Sequence, residues 1–171
     1  MEIIINDTNM NEEKITNIIE KVIALIITED NKILIANYAG IPLLPGGKID
    51  NNELPEEALV RELEEELGIN YKEEDLKYFL RVKAYQENYP SRDGNICNRK
   101  LITDYYLAPY KKIEVNRQKL TEHEKNNNFY LELLTIEELK TKLNKLNNDN
   151  PRNIYFKKEL NIILENYFKN H

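Results

Sequence analysis

The 171-residue sequence predicts a mixed fold, either α+β or a layered α/β/α arrangement, built as a single domain. Three observations point there. β-branched runs suited to strands lie in both halves of the chain, a strongly patterned helix sits between them, and a second helical stripe closes the sequence. The composition supports a packed core: 41% of residues are apolar, with four Phe and eleven Tyr, against 32% charged.

Residues 1–20 carry no firm pattern and are read as an N-terminal extension of undetermined structure. Val22 to Thr28 and Ile33 to Asn37 are two β-branched runs about the polar turn Glu29 to Lys32, a hairpin signature. Pro42, Pro45, Gly46 and Gly47 then punctuate a loop, the two glycines permitting a bend and close approach of backbone to a ligand. Leu54 to Leu67 follows as a helix, with Pro55 in its first turn, acids near its start and Gly68 just past its end. Leu76 to Tyr85 and Lys100 to Leu107 read as strands joined by a polar loop, Gln86 to Arg99, in which Pro90 and Gly94 are expected to break regular structure. Phe129 to Leu134 is a further strand, and Thr135 to Glu138 is a capping box opening a helix with Leu139, Leu143 and Leu146 on one face. After Pro151, Phe156, Leu160, Ile163, Leu164 and Tyr167 form a core-facing helical stripe. The Asn-rich stretches at 126–128 and 144–150 are read as solvated loops.

Charge and cysteine content narrow the function classes. A net charge of -6 with no basic stripe argues against duplex nucleic acid as a partner. Cys97 is the only cysteine, so an intramolecular disulfide is impossible, and the thiol is read as an inert filler in a reducing compartment. The first eleven residues include Glu2 and Asp7 and no basic region, so neither a signal peptide nor a transmembrane helix is expected there, and the reading is cytoplasmic.

The chemistry concentrates between Gly47 and Ile69. At about 100° per residue, Glu62, Glu65 and Glu66 fall at about 0°, -60° and +40°, so three carboxylates share one arc of the helix. Leu59, Val60, Leu63 and Leu67 occupy the adjoining arc, between about 60° and 160°. Like charges at these spacings cost a few tenths of a kcal/mol each unless a cation sits on them. Mg²⁺ prefers oxygen ligands and commonly shares carboxylates with substrate phosphates, which points to a phosphorylated substrate. Arg61, beside the acids, can grip a carboxylate or phosphate in bidentate fashion.

The stretch also satisfies Gly-x₅-Glu-x₇-Arg-Glu-(apolar)-x-Glu-Glu-x-Gly-(apolar) at all nine specified positions, and it resembles the Nudix hydrolase family. A chance match at one start has a probability below about 10⁻⁷ from average residue usage. The resemblance extends to the preceding strands with Pro45-Gly46-Gly47 and covers about half of the chain. It implies an α/β/α sandwich with a central mixed sheet, and hydrolysis of a nucleoside diphosphate linked to another moiety. It further implies that Glu62, Glu65 and Glu66 hold Mg²⁺ or Mn²⁺ and that Arg61 orients Glu53, with Glu62 also a candidate base for the attacking water.

Departures from the pattern bear on substrate. Pro42 stands where many members carry Trp, and no arginine lies near Asn37, where a basic pair is common, so base stacking must differ. Glu122 or Glu124, in the stretch Leu120 to Lys125, is a candidate further ligand or base, with solvated loop acids as the plain alternative. Tyr85 lies where some members acting on dinucleoside polyphosphates carry Tyr, against the alternative of a strand residue packing on the core. His123 and His171 have no metal-ligand spacing and are read as surface residues. Pyrophosphate hydrolysis in a nucleotide is therefore expected, the rivals being a dinucleoside polyphosphate hydrolase and a nucleotide sensor of the same fold that does not hydrolyse. The family fold often dimerises, which leaves room for a homodimer.

Overall fold

The structure, a computed structural model, describes residues 1–91 and 93–170; His171 lies outside the described residues. Among the described residues eight strands form one mixed sheet: β1 (Glu2–Ile5), β2 (Asn17–Ile27), β3 (Ile33–Tyr38), β4 (Ile41–Leu43), β5 (Gly46–Lys48), β6 (Lys77–Pro90), β7 (Ile96–Pro109) and β8 (Tyr130–Leu134). The order along the sheet is β1-β6-β7-β2-β3-β4, with β5 paired to β2 and β8 paired to β3. β2 is the central strand. It runs parallel to β7 over its whole length, Asn17 opposite Arg99 through Ile27 opposite Pro109. Its other edge is shared, with Lys21 to Ile23 pairing antiparallel to β5 and Ile27 to β3.

Helices cover both faces, as the layered reading expects. α1 (Pro55–Leu67) buries Ala58, Leu59, Leu63 and Leu67 against Val22, Ala24, Ile26 and Leu34 of the sheet. α3 (Ile136–Lys145) and α4 (Pro151–Asn170) pack on the opposite face, where Leu139, Leu143, Leu160, Ile163 and Leu164 meet Leu25, Ile33, Ile35, Leu80 and Val82. The alternation of strand residues between two cores explains why β2 and β3 read as continuous apolar runs: both of their faces are covered. Among the described residues no helix is long and apolar enough to cross a membrane.

The expected loop Gln86 to Arg99 is largely strand. β6 continues to Pro90 and β7 begins at Ile96, so the connection is only residues 91–95. Pro90 ends β6, where a missing N–H interrupts little of the ladder, and Gly94 takes φ +85° in the turn itself. Ser91 N–H closes the turn on Asn95 O at 2.8 Å. The polar residues that suggested a loop lie on a hairpin with a register shift between Gln86 and Tyr89, and Gln86 is buried with Oε1 accepting from Arg99 Nε at 2.7 Å.

The N-terminal extension is also part of the sheet. β1 runs parallel to β6, placing Ile5 in the core, and Met10 is buried as well. Thr16 N–H bonds Asn98 O at 2.9 Å, leading directly into β2.

Candidate active site

Local chain geometry builds the site from the glycine strand upward. Gly46 has φ +133°, and a Cβ there would lie 2.3 Å from Val22 O, so only glycine allows β5 to pair with β2. A Cβ on Gly47 would lie 2.3 Å from the carboxylate carbon of Glu62, which shows how closely this backbone sits against the helix acids. α1 starts with Pro55 at its first position, and Glu57 Oε2 accepts from Leu54 N–H at 2.9 Å; leucine, with no side-chain acceptor, makes no reciprocal bond. α1 stops at Gly68, in the left-handed region at φ +70°.

The acids of α1 are not equivalent. Glu66 is 8% exposed, and Oε2 accepts from Gly46 N–H at 2.9 Å. Burial pushes its carboxyl well above the ordinary range, and the negative neighbours Glu62, Glu124 and Glu65 push the same way. Glu62 is raised by burial too, opposed by Arg61 and reinforced by Glu65 and Glu124. Glu65 is the most open of the three, its side chain 35% exposed.

Arg61 braces the group. Its Nε and one terminal nitrogen hold Glu53 at 2.8 and 2.9 Å, the bidentate geometry that guanidinium favours. The other terminal nitrogen reaches Glu62 Oε1 at 2.9 Å, and Lys48 O accepts a further bond at 3.2 Å. The Arg61 hydrogen bonds hold the Glu53 carboxyl below its usual value.

The candidates outside the helix separate. α2 (Glu122–Asn126) is a single capped turn in which Glu124 Oε2 accepts from Thr121 N–H at 2.6 Å and from Thr121 Oγ1 at 2.7 Å. Glu124 is half-buried and near enough to Glu62 and Glu66 to raise both carboxyls. Glu122 points to solvent, its side chain 83% exposed and paired with Lys125. Tyr85 stands on β6, three strands from β5, with Lys100 Nζ 5.3 Å from its ring and its hydroxyl donating to Glu12. It joins neither core cluster nor the acid group. His123 is exposed, its ring 5.7 Å from that of Tyr38. Asn37 is buried and donates to Glu132 Oε1 at 2.6 Å, and Pro42 is buried in β4. The capping box that places Glu124, Thr121-x-x-Glu124, was legible in the sequence but was not read as a helix start.

By chemistry the donor set suits a hard divalent cation: carboxylate oxygens only, mutually repelling, one of them almost wholly withdrawn from water. Among the described residues no three of these side chains converge tightly enough to enclose an ion. Glu62 is instead engaged by Arg61, and Glu66 by the N–H of Gly46.

A layered mixed sheet with an acid-rich helix against it defines the class of fold, and comparison with known proteins gives it a family. The NUDIX domain model matches residues 19–157, and the chain belongs to that family. It is 42% identical over 52 residues to an 8-oxo-dGTP diphosphatase of Proteus vulgaris, covering 27% of this chain and 46% of that one. It is 47% identical over 55 residues to the CTP pyrophosphohydrolase of Escherichia coli K12, covering 29% and 41%. The match thus spans less than half of these relatives. Among solved structures, the MutT protein of Bacillus halodurans superposes with a TM-score of 0.50 at 20% identity, over 71% of both chains. A bifunctional NMN adenylyltransferase/ADP ribose pyrophosphatase of Francisella tularensis, complexed with AMP and a Mn ion, gives 0.50 at 21% identity, over 86% of this chain and 42% of that one. These likenesses carry the fold.

Proposed function

We propose that the protein hydrolyses a pyrophosphate bond in a nucleotide or nucleoside diphosphate derivative, by attack of water on phosphorus. The observation that supports this best is the assembly on α1: Glu62, Glu65 and Glu66 on one arc, Arg61 bracing Glu53 and Glu62 together, and Glu124 brought in from α2. The matched relatives, an 8-oxo-dGTP diphosphatase and a CTP pyrophosphohydrolase, favour nucleoside triphosphates as the first substrates to try.

Glu62, Glu65 and Glu66 would hold Mg²⁺ or Mn²⁺, with Glu124 a candidate fourth donor or base. When bound, such an ion neutralises charge on the phosphate oxygens and lowers the pKa of coordinated water. Glu62, whose raised pKa reflects partial withdrawal from water, is the candidate to accept the proton of the attacking water. Arg61 keeps Glu53 ionised and in place. Gly46 and Gly47 offer backbone without side chains, so phosphates can approach β5 closely. Tyr85, engaged with Glu12, lends no support to a dinucleoside polyphosphate substrate. A single free thiol, Cys97, suits a reducing setting, and we place the activity in the cytoplasm, with no duplex nucleic acid as partner.

The test is a screen of canonical and oxidised nucleoside triphosphates, dinucleoside polyphosphates, nucleotide sugars and ADP-ribose, with Mg²⁺ and with excess EDTA, resolving the products. Metal-dependent release of a nucleoside monophosphate is expected. Turnover undiminished by EDTA overturns the metal assignment, and saturable nucleotide binding without any product identifies a sensor.

A further inference from the structure

The segment between β7 and α2 does more than connect them. Residues 114–119 lie across the C-terminal end of α1 and take up its free carbonyls in turn. Glu114 N–H bonds Leu67 O at 3.1 Å, Lys119 N–H bonds Glu65 O at 2.8 Å, and the Gln118 side-chain amide donates to Glu66 O. Gly68 N–H takes Glu64 O at 3.0 Å, and the Lys119 ammonium pairs with the Glu64 carboxylate at 2.6 Å. Every carbonyl of the last helical turn is thereby satisfied, which an unaided helix end is not. The fit is close, since a Cβ on Gly68 would lie 2.1 Å from Glu114 O.

Two of these acceptors are the backbone carbonyls of Glu65 and Glu66, which carry two of the three carboxylates on the acidic arc of α1. The donors Gln118 and Lys119 lie three and two residues before Thr121, the N-cap that grips Glu124. Backbone that carries ligand side chains is thus fastened directly to backbone that carries the carboxylate from α2. We infer that Gln118 is a positioning residue: its bond to Glu66 O fixes α2 against α1, so that Glu124 faces Glu62 and Glu66 at a set distance. Gln118 touches neither substrate nor metal. Without its amide the segment stays attached through Glu114 and Lys119, so the fold survives while the spacing of the carboxylates slackens. This inference rests on Glu124 belonging to the site, as proposed above.

The experiment is a double-mutant cycle of Gln118→Met, close in volume but without a donor, and Glu124→Gln, in the full chain. Mn²⁺ affinity is read without turnover from loss of the free-ion EPR signal, alongside kcat and KM and melting in EDTA. Outer contacts of this kind cost roughly 10-fold in metal affinity or activity, and that loss is expected for Gln118→Met in Mn²⁺ affinity and in kcat, with KM and the EDTA melting temperature close to wild type. Gln118→Arg, which keeps a donor of sufficient reach, should recover most of it. In the Glu124→Gln background, Gln118→Met should have little further effect, because the residue it positions is already disabled. Losses that multiply in the double variant, or a Gln118→Met protein that no longer melts cooperatively, overturn the positioning role and make the bond a general structural tie. A Glu124→Gln protein with wild-type affinity and turnover instead removes Glu124 from the site, a different failure with its own signature.

Discussion

Arg61 serves three acceptors at once, and that arrangement cannot be copied by a point charge. Lysine would keep the charge next to Glu53 and Glu62 but lose the planar fork that holds both oxygens of Glu53. Arg61→Lys should therefore fold normally and lose roughly 10- to 100-fold in kcat, as expected for loss of an orienting contact. Wild-type kinetics would remove Arg61 from the site. Glu66 behaves oppositely in stability and function. Its carboxylate is buried beside like charges with one backbone N–H as partner, an arrangement that costs the apo protein. An amide oxygen at the same place can still accept from Gly46, so Glu66→Gln should raise stability in EDTA by about 1 kcal/mol. The same variant should lose most turnover and most of the metal-induced rise in melting temperature, since an amide is a poor ligand for a hard dication. Melting curves with EDTA and with Mg²⁺ check both halves; a destabilised but active variant would make Glu66 a structural residue.

Elements show where local signals compete with pairing partners. β1 is a four-residue strand whose sequence alone reads as an extension, yet it pairs with β6 and delivers Ile5 to the core, and Met10 follows it inside. Its ties are parallel-strand bonds and the Lys83–Glu2 ion pair at 2.9 Å, far from α1. Deleting residues 1–10 should cost roughly 3–6 kcal/mol, taking about 1.5–3 for each of the two buried side chains, while leaving site geometry intact where the chain still folds. Urea unfolding measures this; an unchanged midpoint would mean the strand is dispensable. The hairpin of β6 and β7 teaches the converse lesson. Pro90 and Gly94 do mark a turn, but the ladder between β6 and β7, which pairs Gln86 with Arg99 and Tyr89 with Cys97, and the hydrogen bond from Arg152 Nε to Pro90 O at 3.0 Å draw the flanking polar residues into strands.

On the scale of the whole molecule, the two cores differ in what they bury. Where α4 meets β7, Glu159 is 7% exposed and accepts from Tyr105 Oη at 2.7 Å. Burial raises its carboxyl above the ordinary value of 4.5, with Tyr105, Lys21, Thr103 and Arg99 pulling it back in part. A folded-state pKa above the unfolded one means that the native state holds its proton more tightly. The stability from this group is fully present below about pH 4.5 and is lost as pH rises through the raised folded value, with a slope of at most about 1.4 kcal/mol per pH unit. Glu159→Gln keeps an acceptor for Tyr105 without the titration. The variant should gain stability relative to wild type as pH rises above about 4.5. Parallel melting curves from pH 4 to 8 decide it; a constant difference across that range would mean Glu159 does not titrate there.

The sequence alone determined the elements whose signals are local. α1 with its proline start and glycine stop, α3 with its capping box and the stripe of α4 are set by neighbours three or four residues apart, and the structure follows them closely; the β-branched runs marked β2 and β3, although β2 begins at Asn17, five residues before its run. The arc of Glu62, Glu65 and Glu66 was legible for the same reason, being a property of one helix. What only the tertiary structure decided depends on residues distant in the chain. It distinguishes Glu124 from Glu122, which differ by two positions but stand respectively beside the acid helix and in solvent. It engages Tyr85 with Glu12, seventy-three residues away. It brings residues 1–5 into the sheet, and it fastens the end of α1 to Gln118, fifty-two residues past Glu66. Such contacts arise when the sheet closes and two cores are sealed, because their energy comes from burial and hydrogen bonds between partners that no local periodicity records.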